Sequence, residues 1–235
     1  MGILYLIPVP LGDDVFPETV LSPRALSVMR RLNEFVVENE KAARQVLKKA
    51  GIITPQAELT LHPMGKHIAE TDMRAYLTVA KNGGEIGLLS DAGCPGVADP
   101  GAVIVRMAHD AGIKVVPLIG PSSLLLSLMA SGMNGQQFMF HGYLPIDAGE
   151  RRNELRRLES ETRRRGTTQL FIETPFRNQK LLQELLQTLD SNTRLCVACD
   201  LTLPSEWIRS CSVGDWKKLP AVDLHKRPAV FLIGS

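Results

Sequence analysis

The chain has 235 residues, 44% of them hydrophobic and 22% charged, with a formal net charge of +2. This length and balance exclude a small disulfide scaffold, a disordered chain and a fibrous one, and leave a packed enzyme or binding protein of one or two domains. Four irregularly spaced cysteines point to a reducing compartment, and the small net charge does not by itself argue for a polyanion partner.

In chain order, Ile3 to Val9 reads as a buried strand that turns at Pro8-Val-Pro-Leu-Gly12. It has no basic leader and no small-residue cleavage site, so no signal peptide is expected. No later run reaches the roughly 18 apolar residues of a membrane-spanning helix, and a soluble cytoplasmic protein with no membrane partner is the expectation. After a polar loop, Gly12 to Thr19, helical spacing of Ala25, Leu26, Val28, Met29 and Leu32 follows Ser22-Pro23, an N-cap with proline in the first turn. Then come a strand over Glu34 to Val37, a helix over Ala42 to Ala50 stopped by Gly51, and a helix over Met73 to Val79. Glu85 to Ser90 is the continuous apolar run of a strand buried on both faces, and it delivers the chain to Asp91. A helix over Val103 to Ala111, ended by Gly112, and a strand over Ile113 to Leu118 complete an alternation that predicts an α/β fold with a mostly parallel sheet.

The second half predicts helices over 124–129, 151–165 and 179–189, and strands over 138–142, 169–173, 195–200, 207–212 and 230–233. A strand end, glycine and proline coincide near residues 117–122, so the expected division is 1–118, an α/β domain with a mostly parallel sheet, and 119–235, an α/β domain with a mixed sheet. Cys196 and Cys199 form a C-x-x-C, but without a second pair the run reads as a buried strand. The five histidines include no H-x-x-x-H pair, so no metal is expected; His141, in an apolar strand, reads as a hydrogen-bonded structural residue.

Two loops at strand ends carry the chemistry. Ser90-Asp-Ala-Gly-Cys-Pro-Gly-Val-Ala-Asp-Pro-Gly101 packs glycines, prolines and aspartates into one turn. Glycines admit a ligand to the backbone, prolines stiffen the loop and an aspartate accepts from a cationic amine, although a long structural turn has the same composition. Val116-Pro-Leu-Ile-Gly-Pro-Ser-Ser123 follows a strand and opens a helix whose free amides suit a polar ligand group. Ligands of parallel α/β sheets bind beyond such carboxyl ends. No dinucleotide or phosphate-loop fingerprint is present.

These segments, together with Gly2 to Gly12, Phe138-Met-Phe-His-Gly-Tyr-Leu-Pro145, Phe171-Ile-Glu-Thr-Pro-Phe-Arg177 and Arg227-Pro-Ala-Val-Phe-Leu-Ile-Gly234, resemble the tetrapyrrole methylase family. Within it they are most similar to the methyltransferases that act on a ribose 2′-hydroxyl of small-subunit ribosomal RNA. The resemblance implies two α/β lobes with S-adenosyl-L-methionine held in a cleft between them, usually in a homodimer. It also implies cofactor contacts from Pro10, from Asp91, Ala92, Gly93, Cys94, Pro95, Val97 and Ala98, and from Pro121, Ser122, Ser123 and Leu124. In the second half it implies contacts from Tyr143, Leu144, Pro228 and Ala229. Three stretches depart from the ribosomal RNA subgroup, Gly12-Asp-Asp-Val-Phe-Pro-Glu18, Glu38-Asn-Glu-Lys41 and Lys226-Arg-Pro228.

The expected reaction is in-line transfer of the sulfonium methyl, for which the protein mainly positions two reactants. A ribose hydroxyl also needs a proton acceptor, and Asp91, Glu38 and Glu173 are the candidates. A tetrapyrrole or other small molecule is the alternative acceptor, and a cofactor-binding module without catalysis the alternative function. Arg151 to Arg165 holds seven arginines against three glutamates, which reads either as a face for RNA phosphates or as a solvated helix with compensating pairs.

Overall fold

The computed structural model of the chain describes residues 2–65 and 68–234. Contacts divide the chain into two units, Met1–Ser122 and Ser123–Ser235, each built on one five-stranded sheet.

In the first unit the strands are β1 (Ile3–Leu6), β2 (Glu34–Val37), β3 (Thr60–Pro63), β4 (Glu85–Leu89) and β5 (Lys114–Pro117). They lie in the order β3-β2-β4-β1-β5, every neighbouring pair parallel, so all five strands exit at one edge. The helices are α1 (Pro17–Val20), α2 (Pro23–Arg31), α3 (Glu40–Lys49), α4 (Glu70–Tyr76), α5 (Thr78–Lys81) and α6 (Gly101–Asp110).

Both faces of this sheet are covered, which is why its strands read as unbroken apolar runs. Tyr5, Phe35, Val37 and Leu89 pack with Leu26 and Met29 of α2 and Leu47 of α3. Their neighbours Leu4, Val36 and Leu88 turn the other way onto Met73 of α4 and Ile104 and Met107 of α6. Each such side chain taken from water contributes roughly 1.5–3 kcal/mol.

Caps fix where the helices begin. Ser22 accepts from the Ala25 amide at 3.2 Å with Pro23 in the first turn, and Asn39 accepts from the Lys41 and Ala42 amides, placing the start of α3 directly after β2. Two elements went unforeseen. α1 occupies part of the segment read as a polar loop, and β3 is an edge strand with two exposed and two partly buried residues, too short and too polar to show a period. The helix predicted over 73–79 is two pieces, interrupted at Leu77.

The second unit contains β6 (Phe138–Tyr143), β7 (Thr168–Ile172), β8 (Arg194–Cys199), β9 (Trp207–Ser212) and β10 (Ala229–Gly234), in the order β6-β7-β10-β8-β9. β6 and β7 are parallel, while β10 runs antiparallel between β7 and β8, and β9 is antiparallel to β8. The start of β10 therefore lies at the edge where β6, β7 and β8 end. The helices are α7 (Ser123–Ser131), α8 (Ala148–Arg165), α9 (Asn178–Thr188) and α10 (Val213–Trp216).

One face of this sheet, with Phe171, Val197 and Phe231, packs on leucines of α8 and α9 and on Trp216 of α10. The opposite face, with Leu170, Cys196 and Leu232, packs on Leu128 of α7. Cys196 and Cys199 thus point to opposite faces, because three residues along a strand reverse the side. Burial pushes their thiols up, Cys196 to about 12 and Cys199 to about 11, so neither is a poised thiolate.

Helix α8 begins at Ala148, ahead of the predicted Arg151, because Asp147 caps it through the Gly149 and Glu150 amides; Gly166, at φ 66°, ends it. Arg151 is no part of an exposed basic face. It is 6% exposed, bonded to Glu184 through Nε at 2.7 Å and to the carbonyls of Pro145 and Ile146. Among the described residues no helix is long and apolar enough to cross a membrane.

Candidate functional site

Because β1, β2, β4 and β5 are parallel, the loops after them converge at the carboxyl edge of the first sheet. The loop after β4 is joined to the loop after β1 by a two-residue bridge: the Val9 amide donates to the Gly93 carbonyl at 3.0 Å and the Gly93 amide to the Val9 carbonyl at 3.2 Å. The loop after β5 closes on both. The Cys94 thiol lies 3.3 Å from the Pro121 carbonyl oxygen, and Gly120 stands so close to Pro8 that a Cβ there would be 2.2 Å from the proline Cγ. The turns beginning at Ser90 and at Gly120 are therefore parts of one packed rim.

Inside the turn, backbone geometry that side chains resist is held by carboxylate and hydroxyl bonds. Gly93 (φ 74°) and Gly96 (φ 83°) are left-handed, and so is Ala98 (φ 62°), a conformation unfavourable for a residue with a Cβ. The Asp99 carboxylate accepts from the Gly96 amide at 2.8 Å and the Gly101 amide at 2.7 Å, stapling the second half of the loop to the first turn of α6. Ser90 Oγ donates toward the Ala92 and Gly93 carbonyls. At the end of β2, Glu38 Oε2 accepts from the Asp91 amide at 2.9 Å, and the Asn39 amide stands near enough to the Asp91 carboxylate to favour its charged form.

Glu38, Asp91 and Asp99 form an acidic rim. Burial pushes all three carboxyls above the usual carboxylate range. Backbone amides oppose the shift in each, and repulsion from Asp91 adds to it in Glu38 and Asp99. Pro10, Ser90 and Asp91 line a shallow pocket with Asp13, Gln45 and Lys49. Val97 is 48% exposed and Ile119 81%, two aliphatic side chains offered to solvent on the same loops.

This donor set fits S-adenosyl-L-methionine. Carboxylates suit its sulfonium and ammonium charges, exposed aliphatic side chains suit its apolar surface, and a backbone-rich turn gives close approach. Ser122 and Ser123 lie at the start of α7 and are half-buried, and Leu124 follows them.

In the second unit the candidates gather at the edge where β6 ends and β10 begins. A register shift between Phe140 and Tyr143, with Gly142 at φ 64°, re-aims the end of β6 and leaves Tyr143 59% exposed while Leu144 is buried. The Pro228 carbonyl accepts from the Asp200 amide at 3.0 Å, and Ala229 pairs with Cys199. Glu173 is buried after β7; its Oε1 accepts from the Thr174 amide and from both Nε and Nη2 of Arg177, a clamp that sequence reasoning did not foresee. His141 is hydrogen-bonded to Gln169 at 2.7 Å. Among the described residues no group of three or more His, Cys, Asp and Glu side chains is placed to hold a metal ion.

The arginines of α8 are mostly paired. Arg157 meets Glu154 at 2.7 Å, Arg164 and Arg165 both meet Glu161, and Arg163 lies 3.4 Å from Glu159 and 3.5 Å from Asp190. Compensation of this kind weakens the helix as a phosphate surface.

Asp99 and Ile119 were absent from the sequence-derived site. The aspartate had a signal, a carboxylate set two residues before a glycine that opens a helix; exposure of the isoleucine has none in sequence.

Comparison with known proteins gives the same picture. The family model described as Tetrapyrrole (Corrin/Porphyrin) Methylases matches residues 4–216. A Ribosomal RNA small subunit methyltransferase I of Pseudomonas aeruginosa is 32% identical over 95% of this chain and 72% of its own length. One from Xylella fastidiosa is 33% identical over 99% of this chain and 80% of its own. Among solved structures, the methyltransferase CobJ superposes with a TM-score of 0.65 at 19% identity, covering 100% of this chain and 95% of that one. Uroporphyrin-III C-methyltransferase from Thermus thermophilus, complexed with S-adenosylhomocysteine, superposes with a TM-score of 0.57 at 19% identity, covering 100% and 98%. At these identities the structural likeness establishes the fold.

Proposed function

The chain belongs to the tetrapyrrole methylase family of S-adenosylmethionine-dependent methyltransferases, and from that premise we propose that it methylates a ribose 2′-hydroxyl of small-subunit ribosomal RNA, in the cytoplasm. The observation that carries the reading is the rim in which the Ser90 turn, the Pro8 to Gly12 loop and the Gly120 turn are locked together at the carboxyl edge of a parallel sheet. Relatives at 32% and 33% identity over nearly the whole chain, both named for small-subunit ribosomal RNA, support the substrate.

When bound, the cofactor would supply an electrophilic sulfonium methyl for the acceptor oxygen. The protein's share is to hold the two reactants and to take one proton. Pro10, the stretch from Asp91 to Ala98 and that from Pro121 to Leu124 would hold the methionine end, and Tyr143, Leu144, Pro228 and Ala229 would meet the adenosine. Asp91 and Glu38 are the leading proton acceptors: burial raises both carboxyls, which brings their basicity closer to neutrality. Glu173, already engaged by three donors on one oxygen, is better suited to holding Arg177 than to taking a proton.

The working form is a homodimer. In the second unit Phe138 and Met139 of edge strand β6 are 44% and 55% exposed and Met129 of α7 is 78% exposed, apolar surface that a second copy covers.

The test is incubation with labelled cofactor and either undermethylated small ribosomal subunits or tetrapyrrole precursors, followed by digestion of the RNA to nucleosides. Label in a 2′-O-methylnucleoside is expected. Label in a tetrapyrrole, with none in RNA, would replace the substrate and keep the enzyme class.

A further inference from the structure

At the same edge of the second sheet, the turn after β7 presents Phe176 to solvent. Its ring is 68% exposed even after two contacts are made: His225 meets it edge-on at 6.1 Å between centroids, and the Lys226 ammonium lies 6.0 Å from the ring centre. Isolated exposed apolar residues are common, but here the ring carries a lysine ammonium against it and a histidine at its edge.

The surroundings of the ring are rigid. The Lys226 amide donates to the Pro175 carbonyl at 3.0 Å, and Asn178 Nδ2 donates to the Arg227 carbonyl at 2.6 Å, tying the segment before β10 to the turn after β7. Arg227 is itself held at three points, to Asp200 Oδ2 at 2.7 Å, the Ser205 carbonyl at 2.8 Å and the Asp223 carbonyl at 3.0 Å. These ties keep Lys226 left-handed at φ 60°. The two side chains that meet the ring, His225 and Lys226, are polar or cationic and exposed, and the Arg177 side chain next in sequence is 40% exposed beside Glu173.

We propose that Phe176, flanked by His225 and Lys226, is a stacking platform for an unpaired nucleotide of the RNA substrate. The proposal rests on the ribosomal RNA reading and names the surface that would receive the strand. A π face accepts any base, and cations beside it answer the phosphates on either side. A protein-docking patch would instead surround the ring with further apolar side chains and leave charges to the periphery.

The test measures kcat/KM for undermethylated small ribosomal subunits together with the affinity for S-adenosylhomocysteine. Phe176→Ala should lower kcat/KM about tenfold, the loss of one stacked base, while leaving cofactor affinity intact. Phe176→Trp should retain activity, and Phe176→Leu, apolar but without a π face, should be as poor as alanine. Lys226→Gln should weaken RNA binding and reduce the slope of log K against log salt by about 0.7. Phe16→Ala, at another exposed phenylalanine (69% exposed), is the control and should change nothing.

Wild-type behaviour of Phe176→Ala or Phe176→Leu overturns the platform while the substrate reading stands. Loss of cofactor affinity in Phe176→Ala assigns the ring to the cofactor, and a changed oligomeric state assigns it to the interface between copies; either result overturns the proposal. If the wild-type protein does not methylate the subunits, the ribosomal RNA reading fails first and the platform falls with it.

Discussion

The two units place their candidate residues at a sheet edge by different means. In the first, every strand is parallel, so one edge collects all four loops of the rim; small or rigid residues lock those after β1, β4 and β5 by backbone contact, and the Glu38 carboxylate ties in the one after β2. In the second, antiparallel β10 enters where β7 and β8 leave, so the edge is made of strand ends and a strand start, held by charged side chains: Arg177 on Glu173, Arg227 on Asp200 and Arg151 on Glu184. A backbone-built site demands glycine where a Cβ will not fit, whereas a side-chain-built edge demands paired charges. Substitutions can separate the two kinds of order.

The largest effect is expected in the second unit. Arg151→Met leaves the buried Glu184 with only the half-exposed Arg152, 4.0 Å away, and should cost about 3 kcal/mol in urea unfolding. Combining it with Glu184→Leu should recover most of that loss, because the charge left behind, more than the lost attraction, sets the cost. Equal destabilisation by the single and double variants would break the contrast drawn between the units.

Gly120→Ala probes the first unit. Its Cβ would fall on the Pro8 ring, and the overpacking should cost about 1–3 kcal/mol, read in the same way. Retention of full stability would mean that the loops after β1 and β5 are not locked.

The acidic rim sharpens the comparison through pH. Burial raises the Glu38 and Asp91 carboxyls, so the native state binds protons more tightly than the unfolded chain and stability declines as pH rises from the ordinary carboxylate range through the raised values. Above that window the cost is constant. Glu38→Gln and Asp91→Asn should each raise the neutral-pH melting temperature slightly and flatten that decline. Methyl transfer should fall, by roughly 10²-fold or more for whichever carboxylate takes the proton. A melting temperature that drops in both variants would contradict the burial argument.

The smallest stability effect belongs to α8. Arg164 and Arg165 make exposed pairs with Glu161, each worth at most about 1 kcal/mol, and Arg163 faces a buried Glu159 that keeps the Asp190 amide and the Thr193 hydroxyl, so replacing all three with alanine should barely move the unfolding midpoint. Unchanged RNA affinity and salt dependence would remove the helix from the phosphate contacts, while a shallower salt slope would restore it.

What could be read from sequence follows the same division. The continuous apolar run Glu85 to Ser90 and the turn it feeds disclosed the parallel sheet and its loaded edge, because both depend on local composition. β3 stayed hidden, since an edge strand with partly buried residues has no period to show. Arg151 misled, because seven arginines in one helix look alike until Glu184, thirty-odd residues away, is found facing one of them. Arg227 was invisible for the same reason, since what fixes it is Asp200 at another strand end, whereas Arg177 is held by Glu173 only four residues before it and was legible in principle. Asp99 was legible in principle, being a local staple whose donors lie within three residues.

Whether the rim of the first unit grips the cofactor is decided by calorimetric titration with S-adenosylhomocysteine. The wild-type protein should bind, and Gly93→Ala should bind about tenfold more weakly. A Cβ at φ 74°, 3.1 Å from Leu11 Cδ2, forces the turn to relax, and recovering its geometry on binding costs about 1–2 kcal/mol. Absence of binding by the wild-type protein at high micromolar ligand, or equal affinity in the variant, would contradict the account.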